Sequence, residues 1–234
     1  PADRAELLRQ YRVVEEEFRK AGAPFEDVVA FVVQPGVEFG DDFVCQYNAE
    51  NAAQLTGALK EYSPLVFEGH STDYQTLSSL SGMVRDGIRI LKVGPALTFG
   101  LREALFQLES CEQVLVPQEE QRSHFQKVLL DAMEASDGYW KKYYTGTPEE
   151  IAYKKLFSYS DRCRYYLPVP SVEAAIRKLL ENTQSLPVGL ISQFFPQQYP
   201  QVMDGDLTPD GLSLVLARVA VWCDLYSAAC GVQL

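Results

Sequence analysis

The side chains best suited to chemistry gather within residues 65–106. Phe67-Glu68-Gly69-His70-Ser71-Thr72-Asp73-Tyr74 ends a short apolar run at 65–67, and Leu91-Lys92-Val93-Gly94-Pro95-Ala96-Leu97-Thr98 ends another at 88–93. Each run breaks into polar residues and glycine before a helical pattern starts. Strand ends that carry catalytic and ligand-binding groups in a (β/α) barrel have this form. Glu68 and His70 stand two apart, so on a strand both side chains leave the same face. A carboxylate beside an imidazole can act as an acid/base pair on a sugar hydroxyl, or supply two ligands to a divalent metal. The structural alternative is a histidine held by hydrogen bonds in a polar strand end. Lys92 precedes a helix start, where backbone N–H groups and a cation suit phosphate. It suits equally an ion pair with a neighbouring carboxylate such as Glu68, and a Schiff base is a third use.

Other candidates lie further along. Ser192 and Gln193 follow an apolar run at 188–191, where they either donate hydrogen bonds to phosphate or sugar hydroxyls or cap a strand end. Gly94 and Thr98 belong to the helix start beside Lys92. Arg162 and Arg164 have the fork geometry for phosphate, but Asp161 is placed to pair with one of them and tie down its segment. Glu38 follows the rigid turn Gln34-Pro35-Gly36, as a loop residue or a ligand. Cys163 has no base nearby and reads as an ordinary thiol. Catalytic zinc normally takes three protein ligands. With two histidines, His70 and His124, and His124 in a helical stretch, a three-histidine zinc site is excluded. A zinc or manganese site on His70 and Glu68 would need ligands from outside this sequence.

The elements that position these groups follow from periodicity. Leu7, Tyr11, Val14 and Phe18 share a helix face that stops at Gly22. The unbroken apolar run at 28–33 reads as a strand buried on both faces. Asn48 caps a helix bearing Ala52, Leu55 and Leu59; after the strand at 65–67, another helix bears Leu77, Leu80, Met83 and Val84 and stops at Gly87. A strand at 88–93 and a helix at 98–108 continue a parallel α/β rhythm. Residues 111–170 interrupt it with a helical stretch crowded with tyrosines, read as an insertion whose aromatics pack a core, with carbohydrate stacking or subunit docking as the other uses. A helix at 171–181, a strand at 188–191 and a helix at 209–229 complete four strands. A closed barrel needs eight. Residues 1–234 therefore read as the C-terminal part of one (β/α)8 TIM-barrel domain, with its own N-terminal half-barrel as partner; the alternative is a small doubly wound domain. The start at Pro1, without Met and directly in a helix, points the same way.

Net charge is −11, from 21 basic and 32 acidic residues, which argues against a nucleic-acid groove or an anionic membrane surface. No apolar run is expected to reach membrane-spanning length, and no signal peptide opens the chain. Five scattered cysteines without CxxC spacing suit reduced thiols and a cytoplasmic setting.

Five segments together resemble a known family: Val33-Gln34-Pro35-Gly36-Val37-Glu38-Phe39, Phe67 through Thr76, Leu91 through Phe99, Tyr159-Ser160-Asp161-Arg162-Cys163-Arg164-Tyr165-Tyr166, and Leu190-Ile191-Ser192-Gln193. They are similar, in order, to the non-catalytic subunit of class II tagatose-bisphosphate aldolase, of the GatZ/KbaZ type. The resemblance departs at Gly69, where alanine is expected, at Leu77 (proline) and at Leu167 (tryptophan). It implies a barrel protein that supports a separate zinc-dependent aldolase subunit cleaving a phosphorylated ketose, in tagatose, galactitol or amino-sugar catabolism. Some relatives are described as epimerising fructose or its phosphate at C4, which would make Glu68 and His70 catalytic. Others carry the name tagatose-6-phosphate kinase, yet no P-loop or kinase-type glycine motif occurs in this sequence.

Overall fold

The structure, a computed structural model, describes residues 4–58 and 65–232, and the chain divides into two compact units. One gathers residues up to Gly94 with those from Asp224 onward; the other runs from Pro95 to Cys223.

The first unit is built on a parallel sheet. Helix α1 (Arg4–Ala21) ends where Gly22 takes a left-handed φ of 65°, and its Tyr11 packs on Phe25 and Phe31 at ring-centroid distances of 5.2 and 5.8 Å. Strand β1 (Ala30–Val33) is followed by a hairpin of β2 (Glu38–Phe39) and β3 (Val44–Cys45). Helix α2 (Ala49–Ala58) starts where the Asn48 side chain accepts from Asn51 N at 3.0 Å and buries Ala52, Leu55 and Ala58. Leu59, assigned to the same apolar face, lies outside the described residues. Strand β4 (Val66–Gly69), helix α3 (Leu77–Arg85) and strand β5 (Ile88–Leu91) follow. Thr76 caps α3 by accepting from Ser79 N.

The strands lie in the order β1-β4-β5, all parallel, with Val32 opposite Glu68 and Glu68 opposite Ile90. One sheet face sets Val33, Phe67 and Ile88 against Leu55, Leu80 and Met83 in a continuous core. On the other, Val32 and Ile90 are 54% and 39% exposed on either side of Glu68.

The second unit is helical. Helix α4 (Ala96–Leu115) packs with α5 (Phe125–Ala135) and α7 (Pro170–Asn182), while α6 (Pro148–Phe157) opens with a capping box in which Thr147 and Glu150 satisfy each other's backbone N–H. Leu105, Leu108, Phe125, Leu129, Met133 and Tyr166 form its core, each contributing about 1.5–3 kcal/mol by leaving water. Buried Glu112 accepts from Ser123 N (2.9 Å), Ser123 Oγ (2.6 Å) and Asn182 Nδ2 (2.6 Å), tying the start of α5 to α4 and α7. Residues 111–170 lie wholly inside this unit.

Two expectations are corrected. The run at 188–191, expected as a fourth strand, lies in helix α8 (Val188–Phe194), followed by α9 (Tyr199–Asp204). Pro187 sets up the helix start, and Ile191 and Phe195, four apart, are the residues buried, while Val188 is exposed; a strand buried on both faces would hide consecutive residues instead. The described parallel sheet therefore has three strands. Secondly, helix α10 (Gly211–Ala229) does reach membrane-spanning length, with a mean hydropathy of 1.4; it passes on length and composition alone, as core helices of soluble proteins also can.

Candidate functional site

At the end of β4, Glu68 Oε1 lies 2.9 Å from His70 Nε2, as their spacing requires, and both side chains are partly open to solvent. Just beyond, the chain makes a turn over residues 71–74 in which Ser71 (φ 57°) and Tyr74 (φ 62°) are left-handed, a conformation that non-glycine residues seldom adopt. Neighbouring segments hold this turn firmly. Thr72 Oγ1 donates to the carbonyl of Lys92 at 2.9 Å, and the Asp73 carboxylate receives Gly94 N–H on both oxygens, at 2.8 and 3.0 Å. The turn thus binds the end of β5 on both sides of Val93. From the β3 side, Gln46 Nε2 donates to Tyr74 O, while Gln75 accepts from Tyr47 N and donates to Cys45 O. Tyr226, from α10, donates its phenol proton to Thr72 O at 2.8 Å.

Glu68, His70, Lys92 and Gly94 therefore belong to one connected strand-end cluster. Lys92 is exposed, and its alternative partner Glu68 is engaged with His70 instead. Gly94 lies close to the turn: a Cβ there would come within 3.3 Å of Asp73 Oδ2, which would have to give by a few tenths of an ångström.

Apart from Glu38, the other candidates lie in the helical unit. Thr98 donates to Asp161 Oδ2 at 2.8 Å, and Asp161 Oδ1 receives Arg102 Nε at 2.8 Å, so Asp161 pairs with Arg102 rather than with either neighbouring arginine. Arg162 donates to the carbonyl of Tyr139, and Arg164 to those of Ser160 and Asp161. Ser192 and Gln193 are exposed on α8 and do not end a strand. Glu38, in β2, accepts from the next backbone N–H. Burial pushes the Cys163 thiol well up, as suits an inert core cysteine. His124 adopts a left-handed φ of 49° before α5, its ring on Glu119 O.

A divalent metal does not find a complete site here. Glu68 and His70 offer two donors, and no group of three or more His, Cys, Asp or Glu residues stands together among the described residues.

A family profile described as D-tagatose-1,6-bisphosphate aldolase subunit GatZ/KbaZ-like matches residues 2–231. The chain belongs to this family. It is 41% identical over 232 residues to the D-tagatose-1,6-bisphosphate aldolase subunit GatZ of Salmonella typhimurium strain LT2, covering 97% of this chain and 54% of the relative. The GatZ subunit of Salmonella enteritidis PT4 is 44% identical over 205 residues, covering 87% of this chain and 48% of that one. A crystal structure of a probable tagatose 6 phosphate kinase from Sinorhizobium meliloti 1021 superposes with a TM-score of 0.93 at 41% identity, over 98% of this chain and 60% of that chain. This GatZ/KbaZ-like chain thus spans about half the length of the curated relatives it matches.

Tyr226 and Arg102 were missed by sequence reasoning. Each acts across a long stretch of chain, 154 residues to Thr72 and 59 to Asp161. No local pattern marks them, beyond a tyrosine and an arginine standing on otherwise apolar helix faces.

Proposed function

We propose that this chain is part of an accessory, non-catalytic subunit that supports the activity and stability of a separate zinc-dependent tagatose-1,6-bisphosphate aldolase, in tagatose, galactitol or amino-sugar catabolism. The observation that carries this reading is the family match over residues 2–231, joined by relatives named as subunits of that aldolase. In it, the zinc and the carbon–carbon cleavage belong to the catalytic partner subunit, and this chain binds and stabilises that partner. The three-stranded parallel sheet is one arc of a (β/α)8 barrel, of which residues 1–234 are the C-terminal part and 111–170 an inserted helical segment. Two observations support the arc: the all-parallel order, and an apolar sheet face at Val32 and Ile90 left open where such sheets are normally covered on both faces. Strands of an N-terminal half-barrel would cover it. Lys92 is the cation for a phosphorylated ketose, because its ammonium is exposed and has no ion-pair partner among the described residues. The unpaired thiols support a reducing, cytoplasmic setting.

The 2.9 Å contact between Glu68 and His70 favours a second reading, a metal-dependent ketose or ketose-6-phosphate 4-epimerase acting on fructose and tagatose forms. There Glu68 orients the imidazole, and His70 takes and returns the C4 hydroxyl proton while a bond at C4 breaks and re-forms on the opposite face.

Turnover of fructose 6-phosphate and tagatose 6-phosphate separates the two readings, together with co-elution of the protein with a class II aldolase subunit. Co-elution without turnover is the expected result. Turnover by the protein alone, abolished in His70→Ala, would replace the accessory reading with the epimerase.

A further inference from the structure

We propose that Tyr226 is a positioning residue that sets His70 and Lys92 in register at the strand ends; the proposal rests on the reading of those residues as a sugar-phosphate site. The Tyr226 phenol oxygen lies 2.8 Å from the Thr72 carbonyl, to which it donates, and 3.0 Å from Thr72 Oγ1. That hydroxyl donates in turn to the Lys92 carbonyl at 2.9 Å. Thr72 stands two residues beyond His70, with left-handed Ser71 between them. The phenol therefore braces the backbone after His70 by a hydrogen bond, and its oxygen packs against the Thr72 hydroxyl that holds the Lys92 carbonyl.

A backbone with two left-handed non-glycine residues persists where its surroundings over-determine it. Gln46 and Gln75 hold the far side of the turn, and Tyr226 holds the near side. Thr72 is fully buried, so water has no access to replace the lost donor. Burial also pushes the Tyr226 phenol well above its ordinary range, which keeps it a proton donor at every physiological pH. Without the phenol, the buried Thr72 carbonyl has lost its donor and relaxes, and His70 and Lys92 lose their fixed spacing.

The test is Tyr226→Phe in the full chain, read by NMR without any substrate. His70 and His124 are the chain's two histidines, so their ring signals are assigned by comparison with His124→Gln. The variant is expected to shift the His70 ring signals, leave those of His124 in place, and speed amide exchange at Gly94 roughly two- to tenfold, the loss of about one net hydrogen bond. Thr72→Val, which keeps the carbonyl that Tyr226 bonds but removes the hydroxyl on Lys92, should speed Gly94 exchange with a smaller His70 shift, and Thr72→Ser should match the parent. Unchanged His70 signals and Gly94 exchange would overturn the proposal. So would movement of His124, which would make Tyr226 a general stability residue. Because the readout needs no substrate, it stands or fails separately from the sugar-phosphate reading, which His70→Ala tests by activity.

Discussion

Replacing Asp161 with asparagine tests how the helical unit is held together. Asp161 sits at φ 48°, and asparagine tolerates that left-handed backbone as aspartate does, so Asp161→Asn changes charge with little added strain. The carboxylate is fully buried and its partner Arg102 is 3% exposed, with Nε to Oδ1 at 2.8 Å. Thr98 Oγ1 and Cys163 Sγ also donate to it, and Arg102 Nη2 is already buried without a hydrogen-bond partner. The guanidinium, lying 4.3 Å from the Phe99 ring centroid, thus has no reserve acceptor for its charge. An amide keeps one accepting oxygen and turns a donor toward groups that are themselves donors. Breaking one side of a buried pair costs about 3–5 kcal/mol. For a chain of this size that is a melting temperature lower by roughly 6–20 °C. Both tryptophans, Trp140 and Trp222, lie in this unit, so their fluorescence in a urea titration reads its midpoint directly. Adding Arg102→Met should recover part of the loss, since the stranded charge is then gone. A loss below about 1 kcal/mol, the worth of a surface pair, would show that Asp161 and Arg102 do not hold the unit as a buried pair.

Burial raises the Glu109 carboxyl above its ordinary range, so its stabilising contribution is present below the unfolded value, about 4.3, and is lost as pH rises through the folded one. Glu109→Gln should therefore melt above the parent at pH 7, with the gap closing near pH 4; thermal scans at the two pH values check this. At the other end of the chain, hydrogen bonds from Arg9 and Gln10 hold the Glu6 carboxyl down at about 2. Its support of α1 is present above the unfolded value and fades as pH falls through about 2, and carboxyl NMR should find that titration return toward the ordinary range in Arg9→Met. Gly69→Ala would bring a Cβ to 2.8 Å from Ile88 Cγ2 and 3.0 Å from Met83 Cε. It should cost about 1–3 kcal/mol in a melt, partly relieved when Met83 is also shortened.

The parallel strands of the first unit were legible because their signals are local, whereas the hairpin of β2 and β3 was not foreseen. The runs at 28–33, 65–67 and 88–93 correspond to strands Ala30–Val33, Val66–Gly69 and Ile88–Leu91, and the two-residue spacing of Glu68 and His70 placed them together as the geometry does. The run at 188–191 failed because four apolar residues fit a buried strand or one helix turn equally well, and the four-residue spacing of Ile191 and Phe195 decided it. The partners of Asp161 and Thr72 were hidden for a different reason. Arg102 and Tyr226 reach them from other elements, and no periodicity encodes a contact across 59 or 154 residues. Residues 111–170 showed their helical character in composition, but the aromatics expected to pack a core divide: Trp140, Tyr144 and Tyr166 are buried, while Tyr139, Tyr143, Tyr153, Phe157 and Tyr165 are exposed. Packing partners such as Glu112 on Ser123 and Asn182 depend on the assembled helices.

The accessory role is tested most directly by the rate and lifetime of tagatose 1,6-bisphosphate cleavage by a purified class II aldolase subunit, with and without this protein. Cleavage is expected to be faster or longer-lived when the two are combined, with none by this protein alone. Identical rates and lifetimes in the presence and absence of the protein would contradict that role.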